Sequence, residues 1–270
     1  MTPRSLPALA AAAGDIAGSR FEGAPTKRRD FQLSHPECTY TDDTVLTVAT
    51  ASAILEGRAH GTPPAYAAAY KRFGNNDRHR GYGGNFRRWL DAASLDPYGS
   101  FGNGSAMRVS PVGCAYDTSQ EVLDQAKASA AATHDHPEGI RGAEAIAYVV
   151  MRCRTDPAVT PGEIEAEVSS RFSYRLDESM DAIRPRYSFD VTCQGSVPEA
   201  IIAFLEASSV EDAIRNAVSL GGDSDTQACM AAAMAAARFG SMSDELHTLV
   251  RSHLPESYIR ILTALDDLGG

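Results

Sequence analysis

Apolar residues recur every three or four positions along most of this 270-residue chain, the spacing of helix faces turned toward a core. Tyr66, Ala69, Tyr70 and Phe73 form one stripe, Ala143, Ile146, Ala147 and Val150 a second, and Val210, Ala213, Ile214, Ala217 and Val218 a third. Start signals agree with the period: Thr160 precedes Pro161, and Glu163 completes a capping box ahead of Ile164, Val168 and Phe172. Gly57 and Gly240 stand where helices would end. Alternation is confined to Tyr187, Phe189, Val191 and Cys193, an isolated run that reads as a strand or an extended loop. The pattern predicts an all-α fold. Its least regular stretch, from Gly74 to Gly104, carries Gly81, Gly83, Gly84, Gly99, Gly102 and Gly104 among polar and aromatic residues, the make-up of a binding loop.

Nothing in the composition divides the chain. Without a Pro/Ser-rich linker, charge block or fixed-period repeat, residues 1–270 are expected to form one domain. An aromatic share of 7% beside abundant alanine suits closely packed helices. The formal net charge of −10 argues against a general phosphate-backbone binder, so nucleic acid is expected only as a modified substrate. Arg78-His79-Arg80 and Arg87-Arg88-Trp89 read as solvated faces. The five cysteines are odd in number, widely spaced and without a CxxC pair, which suits reduced core thiols. Arg4 followed by Leu6 to Ala13 faintly resembles a signal peptide, but the apolar stretch is short, contains Pro7 and runs straight into Gly14-Asp15. No other segment is suited to span a membrane, and a cytoplasmic monomer is expected.

Two acidic clusters carry the chemistry. Thr41-Asp42-Asp43-Thr44 and Gly221-Gly222-Asp223-Ser224-Asp225-Thr226 each precede a helix-patterned run. Asp, Ser and Thr are favoured helix caps, and Ser224 with Gln227 fits a capping box. One cap needs one oxygen, however, and neighbouring carboxylates repel unless a cation lies between them. Carboxylates and hydroxyls are the hard oxygen ligands of magnesium or manganese rather than zinc. Together the clusters read as a split magnesium site.

Three further segments are chemically suggestive. Asp15 and Glu22 lie about two helical turns apart and would share a face if the segment stays helical, although surface carboxylates would look the same. Gly99 to Arg108 contains Gly102-Asn103-Gly104 but lacks the third glycine and preceding strand of a dinucleotide fingerprint. It reads as a structural loop whose N–H groups can still face a phosphate, with Phe101 able to stack on a base. His134, in Thr133-His134-Asp135-His136, suits a metal ligand, a proton shuttle or a hydrogen bond at a helix end.

In order, GDxxGxxxE, TDDT, GNGxAMR, TH and GGDSDT resemble the ADP-ribosylglycohydrolase family, which includes the dinitrogenase reductase-activating glycohydrolases, over nearly the whole chain. The resemblance implies a compact all-α fold with two magnesium ions, manganese being the alternative, in a cleft between the acidic clusters. It assigns metal ligation to Thr41, Asp42, Asp43, Asp223, Asp225 and Thr226, with Asp225 bridging both ions. Catalysis falls to Glu22, Asp42, Asp43 and Asp225, and ADP-ribose binding to Gly99, Ser100, Phe101, Gly102, Asn103 and His134. Ser224 departs from the threonine more usual between the two aspartates, without touching a ligand position. The implied activity is hydrolysis of the bond between ADP-ribose and an acceptor, a protein side chain such as arginine or serine or a small-molecule conjugate, releasing ADP-ribose. The same residues would also serve a phosphohydrolase of a nucleotide or sugar phosphate, or a protein that binds ADP-ribose without cleaving it.

Overall fold

The computed structural model describes residues 3–57 and 61–269. Among these the chain forms α1 (Leu6–Gly18), α2 (Asp42–Gly57), α3 (Pro63–Asn76), α4 (Gly84–Asp91), the short α5 (Gly104–Met107) and α6 (Ser110–Ala115), α7 (Ser119–Ala131) and α8 (Pro137–Thr155). There follow α9 (Pro161–Phe172), the single turn α10 (Met180–Ile183), α11 (Cys193–Leu205), α12 (Val210–Val218), α13 (Ser224–Phe239), α14 (Asp244–His253) and α15 (Glu256–Thr263). No strand occurs among the described residues. The alternating run ending at Cys193 is an extended loop tied to its neighbour by one antiparallel bridge, Gly102 to Thr192.

Helices α1 and α13 form the centre. Both are buried along nearly their whole length, as a helix apolar on all faces must be. Their axes approach closely because the crossing residues are small: a Cβ on Gly14 would lie 2.2 Å from the Ala228 carbonyl oxygen, and one on Gly18 would lie 2.7 Å from Asp225 Cα. The segment from Leu6 to Ala13 is therefore a core helix. Around this pair, α13 also packs on α8, α11 and α12, and α2 on α3 and α6. The three sequence stripes on α3, α8 and α12 all face inward. All five cysteines are free and buried.

The helix ends agree with the sequence in most places. Thr160 and Glu163 make the capping box of α9, α2 stops at Gly57, and Gly240 closes α13 in the left-handed conformation, φ 68°. One start differs. The expected box of Ser224 and Gln227 does not form: Asp223 occupies the cap position of α13, Ser224 Oγ donates to the Gly222 carbonyl (3.2 Å), and the Gln227 amide donates to Tyr187 Oη (3.0 Å). The stretch from Gly74 to Gly104 is also more ordered than its glycines suggest. It contains all of α4, whose Phe86, Trp89 and Leu90 are buried.

Candidate active site

The N-termini of α2 and α13 meet at one cleft, and both acidic clusters lie there. Their positive dipole ends point toward the carboxylates. The GlyGly turn before α13 is dictated locally: Gly221 holds φ +63°, and a Cβ on Gly222 would collide with Tyr187 Cε1 at 2.4 Å. Lys27 Nζ fastens the turn by donating to the Leu220 and Tyr187 carbonyls. Opposite, the Asp42 amide donates to the Arg80 carbonyl (2.7 Å), and the Arg80 guanidinium lies 3.5 Å from the Tyr40 ring centroid.

Asp15 ties the two halves together. Fully buried on α1, it accepts from the Thr41 amide (2.9 Å), Thr41 Oγ1 (2.7 Å), the Thr44 amide (3.1 Å) and Thr44 Oγ1. These bonds occupy orphan donors of the first turn of α2. Thr226 Oγ1 donates to Asp43 Oδ2 across the gap between the clusters (3.3 Å). Oxygens of Asp15, Asp43 and Asp225 gather within 4.8 Å of one another, as do those of Glu22, Asp223 and Asp225.

Such crowding is unfavourable for bare carboxylates. At that separation, each like-charged pair repels by about 3–4 kcal/mol at an effective dielectric of about 20. The carboxyls respond by holding protons. Burial, then the charge of Asp15, pushes Asp42 and Asp43 well above the usual carboxylate range. Burial, then Asp223, does the same to Asp225. Asp223 is raised by burial, opposed in part by the Asn103 amide, whose Nδ2 donates to it at 2.8 Å. Asp15 is raised to about 6 by burial, opposed by its hydrogen bonds from Thr41 and Thr44. Glu22, at the exposed edge, is raised by desolvation and then by Asp223 and Asp15.

The donor set suits a hard divalent cation. It is made of oxygens, and Asp43 Oδ1 is buried with no hydrogen-bond partner, an arrangement a cation would relieve. The surrounding cleft encloses about 440 Å³ and is lined by Glu22, Asp42, Asp43, Asp223, Asp225 and Thr226 on one side. Ser100, Gly102, Asn103 and His134 line it on another, so these expected site residues converge from distant parts of the sequence.

Three others sit differently. Thr41 is behind the lining, bonded to Asp15. Gly99 and Phe101 are also outside it, and the Phe101 ring stands exposed beside His136, centroids 5.3 Å apart. The loop of Phe101 is pinned to the extended segment through Asn103 N–H to the Val191 carbonyl (2.8 Å) and Cys193 N–H to the Phe101 carbonyl (2.9 Å). That pairing brings Phe189 and Val191 into the lining beside Tyr98, Arg88 and Arg108, none of which the sequence reading places in the site. Asp15 was the most readable omission. It is the one charged residue in an otherwise apolar helix, and such a charge has to be buried.

A family model described as ADP-ribosylglycohydrolase matches residues 8–266. The chain is 26% identical to ADP-ribosylhydrolase ARH3 of Xenopus tropicalis over 86% of its own length and 85% of the relative's. With the same-named protein of Mus musculus, identity is 27% over 84% and 81%. A solved structure titled ADP-ribosylglycohydrolase-related protein complex superposes with a TM-score of 0.77 at 23% identity, covering 100% of this chain and 98% of the other.

Proposed function

The chain belongs to the ADP-ribosylglycohydrolase family and is a hydrolase of glycosyl bonds, and from that premise we propose that it cleaves, with divalent cations bound, the bond joining ADP-ribose to an acceptor side chain such as arginine or serine. The observation that carries this reading is the convergence of Asp15, Asp43 and Asp225, from three separate helices, within 4.8 Å. Two magnesium ions, or manganese in their place, would be held by Thr41, Asp42, Asp43, Asp223, Asp225 and Thr226. When bound, such a pair supplies polarisation of substrate hydroxyls and orientation of water.

The remaining work falls to the chain's own groups. Thr41 and Thr44 are fixed by Asp15, so the first turn of α2 presents Asp42 and Asp43 without further rearrangement. Preorganisation of this kind lowers the cost of reaching an oxocarbenium-like transition state. Glu22 is the exposed carboxyl of the cluster, and its raised pKa suits proton exchange between the leaving group and solvent. Ser100, Gly102, Asn103 and His134 line the part of the cleft we assign to ADP-ribose. Five buried free thiols suit a reducing compartment, and we place the enzyme in the cytoplasm.

The test is release of free ADP-ribose from arginine-, serine- and otherwise-linked substrates, with magnesium or with chelator. Release that needs both magnesium and Asp225, and fails in Asp225→Ala, is the expected result. Full turnover by Asp225→Ala would sink the assignment, and magnesium-dependent binding of ADP-ribose without turnover would make the protein a binder.

A further inference from the structure

Arg108 is fully buried, yet no carboxylate pairs with it among the described residues. Its guanidinium lies 3.9 Å from the Tyr70 ring centroid. Nη2 donates to the Ser129 carbonyl (3.1 Å) and to Thr133 Oγ1 (2.8 Å), while Nε and Nη1 have no partner. An unpaired buried cation is costly, and the fold retains one at the back of the cleft.

What it touches gives it a use. Thr133 is itself fully buried, and its Oγ1 lies 2.7 Å from His134 Nδ1. Arg108 can only donate, so Thr133 Oγ1 accepts there. The hydroxyl hydrogen then needs an acceptor, and among the described residues His134 Nδ1 is the one in reach. If Nδ1 instead carried the proton, Thr133 would accept twice and leave a buried hydroxyl hydrogen unpaired. The imidazole proton therefore belongs on Nε2. That nitrogen points at the Gly102–Gly104 loop, 3.1 Å from where a Cβ of Gly104 would stand.

We propose that Arg108 and Thr133 are positioning residues, a donor relay that locks His134 in the Nε2–H tautomer so that its N–H is presented to the ligand beside the Gly102–Gly104 loop. The inference rests on the reading of that loop and His134 as the ADP-ribose subsite. Burial and the nearby Arg108 charge also keep the imidazole neutral, its pKa well below the ordinary histidine value. Tyr98, whose ring centroid is 5.9 Å from that of His134, flanks it on the other side.

The tautomer can be read directly from imidazole nitrogen shifts in histidine-labelled protein, and ligand affinity by calorimetry with ADP-ribose. The expected wild-type state is Nε2–H before any ligand is added. Thr133→Val should give a mixture of tautomers and bind ADP-ribose roughly tenfold more weakly, the loss of about one hydrogen bond. Thr133→Ser should restore both readouts. An Nδ1–H wild type, or Thr133→Val with unchanged tautomer and affinity, overturns the relay. Unchanged ADP-ribose affinity in His134→Ala overturns instead the ligand assignment beneath it, whichever tautomer is seen.

Discussion

A carboxylate that accepts four hydrogen bonds from two neighbouring threonines is doing structural work that an amide of the same shape cannot. Asparagine at position 15 would offer one acceptor oxygen and set an NH₂ group against donors of Thr41 and Thr44. We expect Asp15→Asn to cost about 2–3 kcal/mol, seen as a melting temperature lower by about 5–10 °C, together with weaker magnesium binding by calorimetry. A variant as stable as wild type would mean that these bonds contribute little. The same residue marks where sequence reading falls short. Its glycine neighbours and apolar surroundings were visible, but whether the carboxylate faced solvent or Thr41 depends on a contact 26 positions away. Asp42, Asp43, Asp223 and Asp225 were legible because each cluster holds more carboxylates than a helix cap can use. Arg108 was not, because one arginine in an apolar stretch says nothing about the side chain it will meet.

At the scale of helices, the α1–α13 crossing transmits packing to chemistry. Gly14 and Gly18 both face α13, but only Gly18 opposes the backbone of Asp225. Gly14→Ala must displace the Ala228 carbonyl and should destabilise the protein by about 1–3 kcal/mol, with the surviving folded protein still active. Gly18→Ala should cost both stability and turnover, because the displaced atoms belong to a site residue. Comparing kcat with melting temperature for the pair separates the two effects, and equal kcat losses would contradict this division. Thr160→Ala offers a contrast. It removes the capping box of α9 and should lower the melting temperature by about 2–4 °C while leaving kcat unchanged. Helices of this kind were legible from period and caps. The extended segment through Phe189 and Val191 was not, since its alternation suits a strand and only its pairing with the Gly102 loop shows that it borders the cleft.

For the molecule as a whole, the all-α architecture follows from the apolar period, whereas the cleft follows from which two helix N-termini the core brings together. That arrangement concentrates negative charge in a protein already at a formal −10, and it has a thermodynamic consequence. The clustered aspartates hold their protons more tightly folded than unfolded, Asp15 to about 6 and Asp42, Asp43 and Asp225 further above the ordinary value of 3.8. A raised folded pKa stabilises fully below the unfolded value, and that stabilisation is lost as pH rises through the folded one. With chelator present, the melting temperature should therefore fall between pH 5.5 and pH 8. Magnesium binds the ionised carboxylates and competes with their protons, so its stabilising effect should grow over the same interval. Thermal unfolding at both pH values, with magnesium and with chelator, checks the sign. A metal-free protein that became more stable toward pH 8 would show that these carboxyls are not proton-loaded when folded, and a magnesium effect independent of pH would separate the cation from the cluster.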